Sequence, residues 1–190
     1  IGTYNNKNPF QLIYVSSIEP YKHHQNVILA VRKLHDDGNK IALNIYGSTF
    51  SKSARKRIEK IIQINDPRSE FITFHGHIEH EEIHTKFQKN DLAVFASSCE
   101  NFPMILIEGM AAGLPTACSK MSVMPDILGE GGFYFDPLSS ESIFFALSIL
   151  IHTPKLRSEL AQKSYQLAKK YSWSRCADET FSFFHSCSVM

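Results

Sequence analysis

No stretch of this 190-residue chain stays apolar for the roughly 20 residues that a membrane-spanning helix needs. Nor is there an excess of either charge: 20 lysines and arginines stand against 19 aspartates and glutamates, a formal net charge of +1. That balance removes the bulk electrostatic case for a nucleic-acid partner. Cysteine is scarce, and Cys99, Cys118, Cys176 and Cys187 form no Cys-x-x-Cys pair and no regular frame. A disulfide scaffold is therefore not indicated, and free thiols in a reducing cytoplasm are expected. No signal peptide is visible and the first residue is Ile1, so the chain reads as a piece lacking an N-terminal part. Walker-type lysine motifs are missing too. What is present is the composition of a folded domain, 43% hydrophobic and 21% charged, with enough material for one core spanning residues 1–190.

Strand-like and helix-like patterns alternate along the chain. The runs 10–17, 41–47, 70–76, 91–97, 114–119 and 131–136 are short, apolar and rich in β-formers. Between them, 26–38, 53–65, 79–90 and 103–113 carry helical spacing, and three helical stretches close the chain at about 139–152, 155–170 and 173–186. Strands that are apolar without alternation belong to a parallel sheet covered on both faces. The predicted fold is α/β: a doubly wound, Rossmann-like parallel sheet with extra C-terminal helices. Ligands of such sheets bind beyond the carboxyl ends of the strands. The segments 16–22, 47–52, 76–79, 97–102 and 119–125 therefore frame the expected site.

Residues 99–115 read CENFPMILIEGMAAGLP. Pro103 suits a first helical position, with Asn101 or Phe102 as the cap and Gly113 and Pro115 as the stop. The free amides at such a start hold an anion well. Glu108 lies five residues further on, about 7.5 Å along the axis, and its side chain leans back toward the start. A carboxylate there is one sugar ring away from a phosphate at the helix start, and it accepts two hydrogen bonds, as a ribose diol would supply. Glu100 sits on the other side of that phosphate. A nucleoside diphosphate-sugar fits this order. Two readings of Glu108 stand at this point: a ribose-binding acid, or a helix acid that faces solvent or pairs with a lysine.

Other patterns have plainer readings. His80-Glu81-Glu82-Ile83-His84 matches the zinc-protease spacing, but the helix is short and polar with no evident third ligand, so an exposed helix is expected. Gly129-Glu130-Gly131-Gly132 precedes a strand instead of opening a helix, and reads as a turn. Lys52, Arg55, Lys56, Arg57 and Lys60 give a basic helix face, ordinarily solvated, that would meet anionic lipid at a membrane surface. Ser172 reads as an N-cap and Trp173 as a core anchor.

The stretch ENFPMILIEGMAAGLP resembles the Glu-x7-Glu signature of retaining GT-B glycosyltransferases, glycosyltransferase family four, group 1. The segments IYVSSIEPYKHHQNVILAVRKL, IALNIYG, FITFHGHIEHEEI, NDLAVFASSCENFP, GGFYFDPLSSESI and KKYSWSRCADETF line up with that family in order. The resemblance covers only its C-terminal, donor-binding domain. It implies that Glu100 contacts donor-sugar hydroxyls and that Glu108 binds the ribose. Amides from Asn101 and Phe102 to Met104 face the diphosphate, Lys22 neutralises it, and Gly76–Ile78 meets the base through backbone. It further implies a metal-independent, cofactor-free reaction and a glycan or lipid-linked acceptor. The acceptor site and a catalytic histidine lie in an N-terminal domain, and the setting is cytoplasmic or membrane-peripheral polysaccharide assembly.

Two departures stand out. Where the family often carries Gly-Arg after the first strand, this chain has Ser16 and Ser17; where Glu-Gly-Phe-Gly is common, it has Glu100-Asn101-Phe102-Pro103. A missing arginine forfeits up to about 4 kcal/mol of close-range attraction at an effective dielectric near 20, whereas the helix start adds only about 0.3–1 kcal/mol. Lys120, after the fifth strand, is expected to restore part of that charge. A sugar-nucleotide epimerase of the same fold and a non-catalytic nucleotide-binding domain are the alternatives.

Overall fold

Along β1 (Phe10–Val15), Phe10, Leu12 and Tyr14 face one side of the strand and Ile13 and Val15 the other, and all five are buried. A strand apolar on both faces needs cover on both. In the computed structural model, which describes residues 4, 5 and 7–188, β1 lies inside a six-stranded sheet. The other strands are β2 (Ile41–Tyr46), β3 (Ile72–Gly76), β4 (Leu92–Phe95), β5 (Thr116–Ser119) and β6 (Gly132–Phe135). Every pairing is parallel, in the order β3-β2-β1-β4-β5-β6. Leu12 stands opposite Leu43 on one side and Leu92 on the other. This is the doubly wound, Rossmann-like arrangement that the alternating pattern predicts.

The helices are α1 (His24–Asp36), α2 (Lys52–Asn65), α3 (His80–Gln88), α4 (Met104–Ala111), α5 (Met124–Leu128), α6 (Ser140–His152), α7 (Pro154–Ala168) and α8 (Trp173–Ser188). Val27, Val31 and Leu34 of α1, Ile58 of α2 and Ile143 and Leu147 of α6 close over the Phe10–Leu12–Tyr14 face. Ile83 and Phe87 of α3 cover Ile13 and Val15, while Leu106 and Met110 of α4 and Ile127 of α5 cover Phe95 and Cys118. The period-two split of β1 thus decides which helices lie on which face.

Three local expectations are corrected. Helix α4 begins at Met104 with Pro103 as its cap (φ −81°, ψ 80°), one residue later than the proline suggests. Pro103 lacks an N–H to donate, and its carbonyl accepts from Leu106 and Ile107. The segment 119–125 is not all loop, because Met124–Leu128 closes a short helix over buried Met124 and Leu128. Trp173 is no core anchor: it is 77% exposed, and every described side chain of α8 is exposed. Ser172 does cap that helix, its Oγ accepting from the Arg175 amide at 3.2 Å.

The carboxyl ends of the first three strands are tied together by backbone. Ser16 donates to Tyr46 O at 2.9 Å and Gly47 donates to Gly76 O at 2.7 Å. Gly47 has φ +152°, and a Cβ there would sit 1.7 Å from the Ser16 carbonyl oxygen. Only glycine lets β2 pass this close to the β1 turn. Gly47→Ala should therefore cost at least about 1–3 kcal/mol of stability, read as a lowered urea midpoint with an unchanged slope. A midpoint equal to that of the wild type would show that the two turns can separate freely.

Candidate functional site

Successive strands run outward from β1 to β3 in one direction and from β4 to β6 in the other, so the winding reverses between β1 and β4. A crevice opens at such a reversal, outside the strand ends. Two loops meet there, residues 16–23 and 96–103. Pro20–Lys22 forms a single 3-10 turn in the first of them. Buried Tyr14 donates its hydroxyl to the Lys22 carbonyl at 2.5 Å, fixing the turn from below. From the second loop, the Ser98 amide donates to Tyr21 O at 2.9 Å, and Ser98 Oγ lies 2.8 Å from His23 Nε2.

That stitching brings Lys22 Nζ onto Glu100 Oε1 in a direct ion pair. Both side chains are largely shielded, at 11% and 15% exposure, and the Lys22 ammonium lies 5.3 Å from the Tyr21 ring and 5.6 Å from the Phe95 ring. Ser122 (φ +55°) holds the Glu100 backbone at two points: its hydroxyl donates to Glu100 O at 2.9 Å and accepts from Glu100 N at 3.2 Å. Beyond Glu100, the amides of Asn101, Phe102 and Ile105 have no protein acceptor among the described residues, whereas Met104 N–H donates to Phe102 O at 3.0 Å. The run of available donors is thus shifted from the expected one: Ile105 joins Asn101 and Phe102, and Met104 is occupied.

Glu108, about one turn into α4, is reached from a third element. His80 Nε2 of α3 lies 2.9 Å from Glu108 Oε1. The other carboxylate oxygen, Oε2, is buried with no hydrogen-bond partner. Leaving such an atom unpaired costs about 1–3 kcal/mol. Hydrogen bonding to Glu108, then its charge, hold the His80 imidazole above its usual range. Of the two readings of Glu108, neither a solvent-facing nor a lysine-paired acid describes this arrangement.

The other expected residues lie around this centre. Gly76 (φ +77°) turns the chain toward partly buried Ile78, and His77 bridges the Ser48 hydroxyl at 2.8 Å and Glu79 at 3.1 Å. Ser17 accepts the Ser16 hydroxyl at 3.2 Å. Ser16 is buried, and its Oγ lies 3.0 Å from His24 Nε2, so its side chain serves the interior of the turn. Lys120 is half exposed and pairs with Asp136 at 3.2 Å. The Leu138 amide, then Lys120, hold the Asp136 carboxyl below its usual range.

His80 and His84 share α3, but His80 is engaged by Glu108, and among the described residues no group of three or more His, Cys, Asp or Glu is placed to hold a metal ion. Lys52, Arg55, Lys56, Arg57 and Lys60 are exposed, as a solvated face would be. No described helix is long and apolar enough to cross a membrane. The cysteines are unpaired, Cys118 buried in β5 and the other three at the surface.

Sequence reasoning missed His80, Ser98 and Ser122 as members of the site. His80 stood out for its metal-like spacing with His84, and its place just after the expected base-binding turn was the only signal pointing toward this site. Ser98 and Ser122 carry no motif, and only the strand order brings them to Tyr21 and Glu100.

His24 makes the scaffold under Lys22 sensitive to acid. It stacks on Tyr14 with ring centroids 4.7 Å apart, and burial, then the nearby Lys22 charge, push its pKa down to about 3. Its unfolded value is near 6.5, so below that pH the unfolded chain binds a proton that the folded one refuses. Stability is therefore complete above 6.5 and falls as the pH drops toward 3, by up to about 1.4 kcal/mol per pH unit. Urea unfolding of wild type and His24→Gln between pH 7 and 4.5 should show a shallower decline in the variant. Parallel curves would place the acid sensitivity elsewhere.

Comparison with known proteins adds the following. A family model described as glycosyl transferases group 1 matches residues 3–167. O-antigen chain mannosyltransferase B of Escherichia coli is 24% identical over 115 residues, covering 60% of this chain and 30% of that protein. The crystallised C-terminal domain of a glycosyl transferase group 1 family protein from Francisella tularensis is similar with a TM-score of 0.74 and 26% identity, covering 85% of this chain and 86% of that one. An Anabaena protein, HepE, crystallised with UDP and glucose, is similar with a TM-score of 0.83 at 17% identity, covering 96% of this chain and 49% of its own. The chain spans less than half the length of the curated relatives it matches.

Proposed function

Since the chain belongs to the glycosyl transferases group 1 family, we propose that it is the donor half of a retaining GT-B transferase of glycosyltransferase family four. It would move a sugar from a nucleoside diphosphate to a glycan or lipid-linked acceptor. The observation that carries this reading is Glu108, a half-satisfied carboxylate eight residues past a lysine-paired Glu100. Between the two acids lie amides with no acceptor of their own. Ribose at Glu108, diphosphate over the amides and sugar at Glu100 follow the order of the ligand. The HepE complex with UDP and glucose supports a ligand of this class.

In the proposed reaction the leaving diphosphate gains negative charge as the glycosidic bond breaks. The amides of Asn101, Phe102 and Ile105 meet that charge without reorganising, and Lys22 joins them once it has left Glu100. Glu100 then orients the sugar hydroxyls, and no metal or cofactor enters the step. Lys120 supplies a further positive charge in place of the arginine that Ser16–Ser17 lacks, at the cost of loosening its pair with Asp136. Acceptor binding belongs to a preceding N-terminal domain, of the kind that the greater length of the relatives provides for. We assign the exposed aromatic residues of α8, Trp173, Phe181 and Phe184 among them, to contact with that domain.

Calorimetry with UDP and GDP tests the ribose site. Glu108→Ala should weaken binding by roughly ten- to a hundredfold, the size of a hydrogen-bonded charge removed. Equal affinities would refute the assignment. In a full-length transferase, Lys22→Ala should lower kcat/KM by about a hundredfold or more, and Lys120→Ala should weaken donor binding several-fold. An unchanged affinity in the latter would return Lys120 to Asp136 alone.

A further inference from the structure

The ribose acid of the proposed site is already engaged in the unliganded protein, and the residue engaging it is exposed. His80 Nε2 holds Glu108 Oε1 at 2.9 Å with its side chain 77% exposed, whereas the Glu108 side chain is 23% exposed. The remaining oxygen, Oε2, has neither solvent contact nor a hydrogen-bond partner. A diol that takes both oxygens must therefore displace the partner of Oε1 and reach the buried Oε2. The exposed side chain bonded to this carboxylate is His80, the first residue of α3, next to the turn that begins at Gly76.

We propose that His80 is a proton-carrying competitor for the ribose site: its imidazolium occupies Glu108 in the unliganded protein and swings into solvent when the ribose hydroxyls take both carboxylate oxygens. This rests on the assignment of Glu108 to the ribose. The exchange is non-covalent, and it balances. One N–H···O bond is lost, two O–H···O bonds form, Oε2 gains its missing partner, and the released imidazolium gives up a fraction of its proton to the buffer.

The direction of the pH dependence follows from the groups that act on His80. Glu108 across from it on α4 raises its pKa most, Glu81 on its own helix adds to this, and a small loss of hydration opposes them. Displacement removes the largest of these influences, so His80 returns toward its ordinary 6.5. The unliganded protein then binds more protons than the complex, and affinity rises with pH. It is lowest below 6.5, climbs between that value and the raised one, and levels off above it.

The test uses UDP-glucose and GDP-mannose, whose diphosphates are esterified at both ends and keep their charge through this range. Calorimetry of the wild type in two buffers of different ionisation enthalpy should show fractional proton release near neutrality and a several-fold gain in affinity from pH 6 to 8. His80→Ala should bind more tightly than wild type at pH 6, release no proton and show a flat profile. Weaker binding by His80→Ala at pH 6 would overturn the proposal, because His80 would then be holding the ligand. Proton release identical in wild type and variant would overturn it as well. An NMR titration of the His80 ring separates the two layers of the argument. Without ligand, Glu108→Gln should lower the ring pKa, and saturating donor should lower it in the wild type. If Glu108→Ala leaves donor affinity intact, or neither donor binds wild type or variant, the ribose assignment itself fails and the competitor with it.

Discussion

The site is organised by the ion pair between Lys22 and Glu100, because it is the point where the two outward-winding halves of the sheet are joined above their last strand residues. Lys22 comes from the turn after β1 and Glu100 from the turn after β4, 78 residues later. Neither turn would hold its shape alone: Ser98 closes on Tyr21 and His23, Tyr14 props the Lys22 carbonyl, and Ser122 clamps the Glu100 backbone. The switch point makes the crevice, and this pair sets its charge.

A shielded pair of this kind is a poor source of stability. Removing two charges from water costs several kcal/mol per ion, which mutual attraction only partly repays. Its value lies in being exchangeable. In the proposed reading a diphosphate, with more negative charge than one carboxylate, also engages the amides at the start of α4, which have no acceptor of their own. On that reading the pair holds Lys22 in place while the crevice is empty and yields it to the stronger anion. The same logic extends one helix further. Glu108 is held by His80, again a residue from a different element, and again on a carboxylate that has capacity left over. In the proposed reading, both acids of the Glu-x7-Glu motif exchange these protein partners for a nucleoside diphosphate-sugar.

The fold was legible because its signals are local. Two-sided apolar strands such as Phe10–Val15 can only be interior, and the alternation with amphipathic helices leaves few topologies. Glu100 and Glu108 drew attention through their spacing about a helix start, and Lys22 through the family resemblance alone; the structure brings Lys22 and Glu100 together. The partners were not legible, since a partnership across the sheet depends on strand order and leaves no mark at either residue. His80 drew notice for a metal-like spacing with His84, yet what matters is its distance from a glutamate 28 residues away. Trp173 failed for the opposite reason: a lone tryptophan after a cap reads as core, but burial is decided by whether a neighbouring element arrives, and none among the described residues covers α8.

That exposure and the unmet oxygen of Glu108 describe one incomplete object from two sides. A cleft of about 720 Å³ runs between the start of α4 and the start of α8, lined by Phe102, Met104, Ile107, Tyr171, Trp173 and Phe183. Phe102, whose amide is one of the free donors beyond Glu100, also lines this cleft. The start of α4 therefore borders both the donors and an apolar lining. Exposed aromatic side chains such as Trp173 and Phe183 gain from being covered, whereas in the proposed reading the amides stay open for a ligand. In the proposed two-domain enzyme, these opposite requirements separate the two tasks: the ligand completes the hydrogen bonds of α4, and the second domain completes its hydrophobic contacts. Movement of α4 would then be felt by both, which gives donor binding and domain approach a shared mechanical element.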